Sequence, residues 1–174
     1  MIEIMILYVL LQQDLTMYSI HKRIGEYFVA YSTPSFGAIK PALVRLEKSE
    51  CITSSKIMSD GGKLSVFYSI TKDGLKELKK LLVKPFSTNP LQFLSDARVK
   101  ISCASVLSTE EYNELLLNIK SIALLHKVNA EQTLEDEYTP KDFYQKIILD
   151  NTICEYKNFI SMVEGLEKNN ARNS

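Results

Sequence analysis

The chain of 174 residues has no tryptophan, two histidines, six glycines and three cysteines. Cys51, Cys103 and Cys154 are too far apart for a zinc knuckle, and their odd number does not suit a disulfide framework. Such cysteine usage is typical of a reducing compartment, so we expect a cytoplasmic protein. With 45% hydrophobic and 24% charged residues, the composition is that of a folded protein of one or two domains.

An apolar run, Ile4–Leu11, is too short to cross a membrane, because a span needs about 20 apolar residues. Glu3 precedes the run and Gln12–Asp14 follow it, so it lacks the basic flank and small-residue cleavage site of a signal peptide. We therefore expect a buried helix here, and no membrane as a partner.

Residues arranged for catalysis are nearly absent. His21 and His126 fall in segments assigned to different domains, and neither has a Cys, Asp or Glu at metal-ligand spacing. Gly61-Gly62 lacks the strand–loop–helix context of a phosphate-binding loop. We therefore expect no enzymatic activity, no metal and no cofactor.

Charge is divided unevenly along the chain although it sums to zero, with 21 basic and 21 acidic side chains. Residues 1–84 hold 12 basic and 8 acidic side chains, a net charge of +4, and residues 85–174 hold 9 and 13, a net charge of −4. This asymmetry favours a polyanionic partner for the first half only.

The first half is predicted to begin with three helices, over residues 2–12, from Thr16 to Gly25, and from the N-cap Ser35 to Glu50. The segment Tyr27–Pro34 between the last two is aromatic and β-prone. The third helix has an apolar face at helical spacing, formed by Ile39, Ala42, Leu43 and Leu46. Pro41 breaks the helical pattern, either because the site is functional or strained or because the first turn, residues 36–40, is 3₁₀ or irregular.

Two predicted strands follow, Ile52–Met58 and Leu64–Thr71. They are separated by residues 59–63, whose Asp-Gly-Gly sequence is typical of a hairpin turn. Thr71 then caps a helix over Lys72–Lys84. Three helices and a hairpin are the order of a winged helix-turn-helix, whose third helix enters the major groove of DNA.

The second half is predicted to be helical throughout. Helices are expected over Leu91–Ser105, from Ser108 to Asp136 with Glu111 completing a capping box, and from Thr139-Pro140 to Lys168. The predicted fold is thus mainly α with a small β-hairpin. Residues 1–84 would be the DNA-binding domain, and residues 85–174 a helical dimerisation domain that could also bind an effector.

The last helix carries a coiled-coil-like seam of Leu149, Ile153, Tyr156, Ile160 and Val163. Phe143, Ile147, Phe159, Met162 and Leu166 add apolar surface beside it. A helix that is apolar on two faces must bury both. We favour a homodimer that uses the seam over the alternative, a single core within one chain.

On the third helix, an outward face remains once the apolar face is buried: Ala38, Lys40, Pro41, Val44, Arg45 and Lys48. The candidate DNA-binding residues are Tyr18, His21, Lys22, Ser35, Gly37, Ala38, Lys40, Arg45 and Lys63. Lys40 is expected to contact a base or an adjacent phosphate. Arg45 would either bind a phosphate or pair with an acidic residue and support the fold.

The run from Pro34 to Glu47, with its Gly-x-x-x-Pro-Ala-Leu-x-Arg-Leu-Glu pattern, resembles the recognition helix of the PadR family of bacterial transcriptional regulators. The likeness extends over residues 4–80 and includes Val66–Gly74. It implies a winged helix, a dimer formed by the helical tail, and Pro41 as a family trait. The family's usual Tyr is Lys40 here, and its basic wing is reduced to Lys63.

The sequence therefore predicts a homodimeric transcriptional repressor that binds double-stranded DNA at an inverted repeat. The alternative is a winged-helix module that binds proteins and not DNA. The resemblance also implies either a repressor released by small aromatic compounds or drugs, or a regulator with no ligand at all. For an aromatic effector the tail offers cavity-lining candidates but no tryptophan: Tyr112, Tyr138, Phe143, Tyr144, Tyr156 and Phe159.

Overall fold

The computed structural model describes residues 1–32, 34–58, 62, 64–138 and 140–173, with side chains up to residue 169. The chain forms two compact units, residues 1–106 and 107–174. Seven α-helices and a three-stranded sheet are present in the described part, which agrees with the predicted helical fold with a small winged β element.

The N-terminal unit begins with α1 (Ile2–Leu10), the apolar run noted above. This helix is a central part of the core because nearly all of its apolar side chains are buried: Ile4, Met5, Ile6, Leu7, Val9 and Leu10. A helix that is apolar on all sides must be surrounded by other elements. Helices α2 (Met17–Phe28), α3 (Phe36–Lys48) and α4 (Lys72–Val83) pack around it.

Helix α2 runs to Phe28, three residues beyond the predicted end at Gly25. Ile20, Ile24 and Phe28 are buried at four-residue spacing, so the apolar stripe continues past the glycine. Phe28 also contacts the ring of Tyr8 edge to face, with the centroids 6.4 Å apart. This packing outweighs the cost of about 1 kcal/mol for a helical glycine, and the segment after Gly25 is not a strand.

Strands β2 (Ile52–Met58) and β3 (Leu64–Ile70) form an antiparallel hairpin, which confirms the predicted pair. A two-residue strand that the sequence did not indicate, β1 (Leu15–Thr16), pairs with the other edge of β3. At the predicted hairpin tip, residues 59–61 and Lys63 lie outside the described residues. Gly62 has a φ of +76°, a left-handed conformation that glycine adopts without strain.

Helix α3 is α-helical from Phe36, with Pro41 inside it, so of the two alternatives for Pro41 the structure does not show a 3₁₀ or irregular first turn. Proline cannot donate the usual hydrogen bond to the carbonyl of Gly37, four residues earlier. Both residues lie on the exposed side of the helix. Water can therefore satisfy that carbonyl, and the helix continues through the proline.

Glycine is required at position 74, where α4 begins against the turn that precedes β2. A Cβ at Gly74 would lie 2.0 Å from the carbonyl oxygen of Cys51, which is far too close. Thr71 fixes this approach: its hydroxyl donates to the carbonyl of Glu50 at 2.7 Å and accepts from the amide of Gly74 at 3.0 Å. Glu50 itself has a φ of 57°, in the left-handed region.

Helix α5 (Pro90–Ser102) is capped by Asn89 and belongs to the N-terminal unit. Its Lys100 is buried; the ammonium donates to the carbonyl of Lys84 and lies 4.2 Å from the ring centroid of Phe86. Burial lowers the pKa of Lys100 to about 8. The compact unit therefore extends beyond residue 84, and the functional division at that residue stays a prediction.

The C-terminal unit is a pair of long helices, α6 (Thr109–Glu135) and α7 (Phe143–Asn173). The capping box of Ser108 and Glu111 is present as predicted. Helix α7 starts later than the predicted Thr139-Pro140, of which Thr139 lies outside the described residues. Asp142 and Gln145 instead exchange side chain–backbone hydrogen bonds of 2.8 and 3.0 Å at this helix start.

We expect Gly74→Ala to lower the free energy of unfolding by about 1–3 kcal/mol, because the added methyl group must displace backbone. Gly25→Ala is the matched control: nothing lies within 4 Å of its added Cβ, and alanine stabilises a helix by up to about 1 kcal/mol. Urea unfolding of both variants measures the contrast. A Gly74→Ala protein as stable as the wild type would contradict the close approach.

Candidate nucleic-acid interface

Helix α3 has one buried face and one exposed face. The predicted apolar face is confirmed: Ile39, Ala42, Leu43 and Leu46 are buried in the N-terminal unit. This packing determines which side of the helix can meet a partner. The other side is exposed along its whole length: Ser35, Phe36, Gly37, Ala38, Lys40, Pro41, Val44, Arg45, Glu47 and Lys48.

Two lysines and a valine form a line along this exposed side. Lys40, Val44 and Lys48 are four residues apart, so each lies about 6 Å further along the helix axis than the one before. Among the described residues, neither lysine takes part in an ion pair. The charges of both lysines are therefore available to an anionic partner.

The start of α3 is open to close approach. Ser35 occupies the N-cap position as predicted, but its hydroxyl makes no capping hydrogen bond to the described residues of the first turn. Gly37 and Ala38 follow and are exposed. Small side chains at a helix start allow a phosphate to approach, and the free amide groups there can donate hydrogen bonds to its oxygens.

The predicted contacts on α2 differ in their surroundings. The Tyr18 side chain is 70% exposed. His21 packs edge to face on Phe36, with ring centroids 5.3 Å apart, so it joins α2 to the start of α3. Lys22 is exposed and approaches Glu26 only to 4.0 Å, whereas the neighbouring Arg23 lies 3.4 Å from the same carboxylate.

Arg45 pairs within the chain. Its Nε donates to Oε1 of Glu3 on α1 at 2.9 Å, so of the two predicted alternatives the structure shows the ion pair. The sequence could not indicate this partner, because Glu3 is 42 residues away and lies in no shared motif. The side chain of Arg45 remains 58% exposed, so the pair is a surface one.

The wing sheet is joined to α3 by Glu47, whose Oε1 accepts from Ser54 Oγ of β2 at 2.5 Å. The pKa of Tyr68 on β3 is raised, first by burial and then by the negative charge of Glu47. Lys56 on β2 is exposed and was not among the predicted site residues. The predicted wing contact, Lys63, lies outside the described residues.

The predicted dimer seam on α7 is located inside the C-terminal unit. Ile153, Tyr156, Ile160 and Val163 are buried within one chain, and only Leu149 is partly exposed. Their assignment to a subunit contact is corrected accordingly, because the neighbouring α6 already covers this stripe. The exposed apolar side chains of α7 are instead Phe143, Tyr144, Ile147, Ile148 and Met162.

A cavity of about 430 Å³ opens where α6 and α7 are joined. It is lined by Thr133, Pro140, Lys141, Asp142, Tyr144, Gln145, Ile148 and Leu149. Of the six aromatic residues predicted to line a cavity, it includes Tyr144 alone. Tyr156 and Phe159 are buried, whereas Tyr138 is exposed. A small aromatic effector stays a prediction of the resemblance.

No helix in the described ranges is long and apolar enough to cross a membrane. Among the residues that the structure describes, no group of three His, Cys, Asp or Glu side chains is placed to hold a metal ion.

A family model, the transcriptional regulator PadR-like family, matches residues 6–80. These residues form a PadR-like domain. They run from the middle of α1 to most of α4, so the domain contains the exposed face of α3 and both strands of the hairpin. No curated protein sequence matches the chain significantly.

Several solved structures are similar to the chain. Bacillus subtilis PadR in complex with operator DNA is 19% identical, with 94% of each chain covered and a TM-score of 0.45. A protein from Streptococcus mutans UA159 is 23% identical, with 95% of this chain and 98% of that chain covered and a TM-score of 0.46. A PadR-like regulator from Bacillus cereus ATCC 14579 is 28% identical over 45% of this chain and 74% of that chain, with a TM-score of 0.39.

In the N-terminal unit, a double-mutant cycle with Glu3→Ala and Arg45→Ala tests the ion pair. We expect a coupling free energy of about 0.2–1 kcal/mol, the range of exposed pairs. It should shrink in 1 M salt, where the Debye length is only about 3 Å. Urea unfolding of the four proteins measures it, and a coupling of zero at low salt would show that the pair does not stabilise the fold.

Proposed function

We propose that the chain is a homodimeric transcriptional repressor that binds double-stranded DNA through α3. One observation supports this most: the face of α3 opposite the core carries Lys40 and Lys48, exposed and outside the ion pairs of the described residues. In a helix-turn-helix, this face of the corresponding helix lies in the major groove. The two cations suit the phosphates or guanine edges found there.

The surroundings of α3 favour the same partner. Ser35, Gly37 and Ala38 leave room for the groove wall at the start of the helix. Tyr18 and Lys22 on α2 are exposed and chemically suited to phosphate contacts. In this proposal His21 acts indirectly, by packing on Phe36, and Arg45 contributes mainly to the fold through Glu3.

A dimer would determine the form of the operator. Two copies of α3 related by a twofold axis bind half-sites of an inverted repeat, about 34 Å apart for one helical turn. We assign the subunit contact to the exposed apolar side chains of α7, because apolar surface of this kind marks interaction sites. Their number on one helix supports the assignment: Phe143, Tyr144, Ile147, Ile148 and Met162.

The alternative is a winged-helix module whose partner is a protein. Salt dependence of binding to fragments of genomic DNA separates the two functions. Each neutralised phosphate lowers the slope of log affinity against log salt by about 0.9. A slope of −4 or steeper, on fragments enriched by selection, supports the repressor. Failure to retain any fragment at low salt would favour the protein-binding module.

Lys40→Ala should weaken binding to the selected operator at least several-fold, because it removes a cation from the groove-facing side of α3. Its melting temperature should hardly change, since exposed substitutions usually alter stability by less than about 0.5 kcal/mol. If Lys40 binds phosphate only, the slope of log affinity against log salt becomes less negative by about one. Fluorescence anisotropy measures both quantities.

The matched control for this variant is Lys157→Ala, which also removes an exposed charge, but from α7. It should bind the operator as the wild type does. If Lys40→Ala also retains wild-type affinity, the assignment of α3 as the recognition helix is contradicted.

Ile148→Glu should dissociate the dimer and leave the C-terminal unit folded, because this side chain is 63% exposed in one chain. Ile153→Glu, by contrast, buries a carboxylate in the packing of α7 and should unfold the unit. Sedimentation and circular dichroism separate these outcomes. An unaltered Ile148→Glu dimer would exclude this face as the subunit contact.

A further inference from the structure

An aliphatic side chain lies in the middle of the cationic line on α3. The side chain of Val44 is 58% exposed and sits one turn after Lys40 and one turn before Lys48. At about 100° per residue, Val44 is closer than Lys40 to the point on the helix circumference opposite the buried face. The centre of the exposed face is therefore apolar and has a cation at each end.

The fold gives no reason for valine at this position. The side chain is mostly outside the core, and a β-branched residue has a lower helix propensity than lysine, glutamate or alanine. Pro41, three residues earlier, and Gly37, seven residues earlier, extend the same strip of the helix without adding any charge. A partner that fits this strip must offer a small apolar group between anionic groups.

Double-stranded DNA has one such group in its major groove, the C5-methyl of thymine, which protrudes between two phosphate backbones. The other groove edges of the bases present hydrogen-bond donors and acceptors, which a valine side chain cannot satisfy. A protein partner could also cover an exposed valine, but the flanking lysines favour an anionic surface.

We propose that Val44 reads a thymine in each operator half-site by contact with its C5-methyl group, while Lys40 and Lys48 bind the adjacent phosphates or guanine edge. This inference rests on the proposed DNA-binding function and adds to it the base that the centre of α3 selects. It assigns Val44 a role in specificity and the two lysines a role in affinity.

The experiment replaces thymine by deoxyuridine, one position at a time, in one half-site of the selected operator. Deoxyuridine pairs as thymine does and lacks only the methyl group. For the wild type, deoxyuridine at the contacted position should lower the affinity about three- to fivefold, the effect of one lost apolar group of this size. Operators with deoxyuridine at any other position should be bound as tightly as the unmodified operator.

Val44→Ala provides the second half of the cycle. This variant should fold normally, because the valine is exposed and alanine favours the helix. Because both half-sites lose the contact, it should weaken binding to the unmodified operator by about the square of the single deoxyuridine effect. It should lose no further affinity when deoxyuridine replaces the contacted thymine. Val29→Ala is the matched control, because Val29 is the C-cap residue of α2 and its side chain is 65% exposed. This variant should keep the wild-type sensitivity to deoxyuridine.

The possible failures are distinguishable. If the wild type retains no DNA at low salt, the proposed function fails and this inference fails with it. If the operator is bound but no deoxyuridine position matters, DNA binding stands and the reading of thymine is overturned. If Val44→Ala remains as sensitive to deoxyuridine as the wild type, another residue contacts the methyl group and the assignment of Val44 is overturned.

Discussion

The burial of one face of α3 is the constraint on which the candidate interface depends. Ile39 and Leu43 pack into the N-terminal unit around α1, and this packing prevents the helix from rotating about its axis. Rotation would expose these side chains to water at a cost of about 1.5–3 kcal/mol each. The exposed side, with Lys40 and Val44, is therefore held toward a partner by the hydrophobic core.

Contacts at the end of α3 keep the wing in a defined place beside it. Glu47 binds Ser54 of β2, and Thr71 joins the last strand to the turn after the helix. The close approach of Gly74 to Cys51 leaves no space for a side chain. These contacts couple the position of the hairpin to that of α3, so a substitution in the turn can change how both are presented to a partner.

Periodicity predicted much of this fold from the sequence. The apolar face of α3, the two hairpin strands and the caps at Thr71 and Ser108 were all predicted correctly, because each depends on local spacing and on side chains near the element's own ends. The extension of α2 to Phe28 and the pairing of β1 depend on tertiary packing, which local propensity does not contain.

The candidate site was less predictable than the fold. The pairing of Arg45 with Glu3 joins residues far apart in the chain, and nothing local marks it. The seam around Ile153 was recognised as apolar, but periodicity cannot tell whether a second helix of the same chain or of another chain covers it. The exposed Lys48 and Val44 lay on the predicted outward face, yet their central position became clear only once the buried side was known.

Lysine footprinting tests the central claim most directly. The full-length protein, free and bound to its operator, is acetylated briefly, and the reactivity of each lysine is measured by mass spectrometry. If the exposed face of α3 lies against DNA, Lys40 and Lys48 should lose most of their reactivity, while Lys146 and Lys157 of α7 should keep theirs. Unchanged reactivity of Lys40 and Lys48 in a protein saturated with operator would contradict this account.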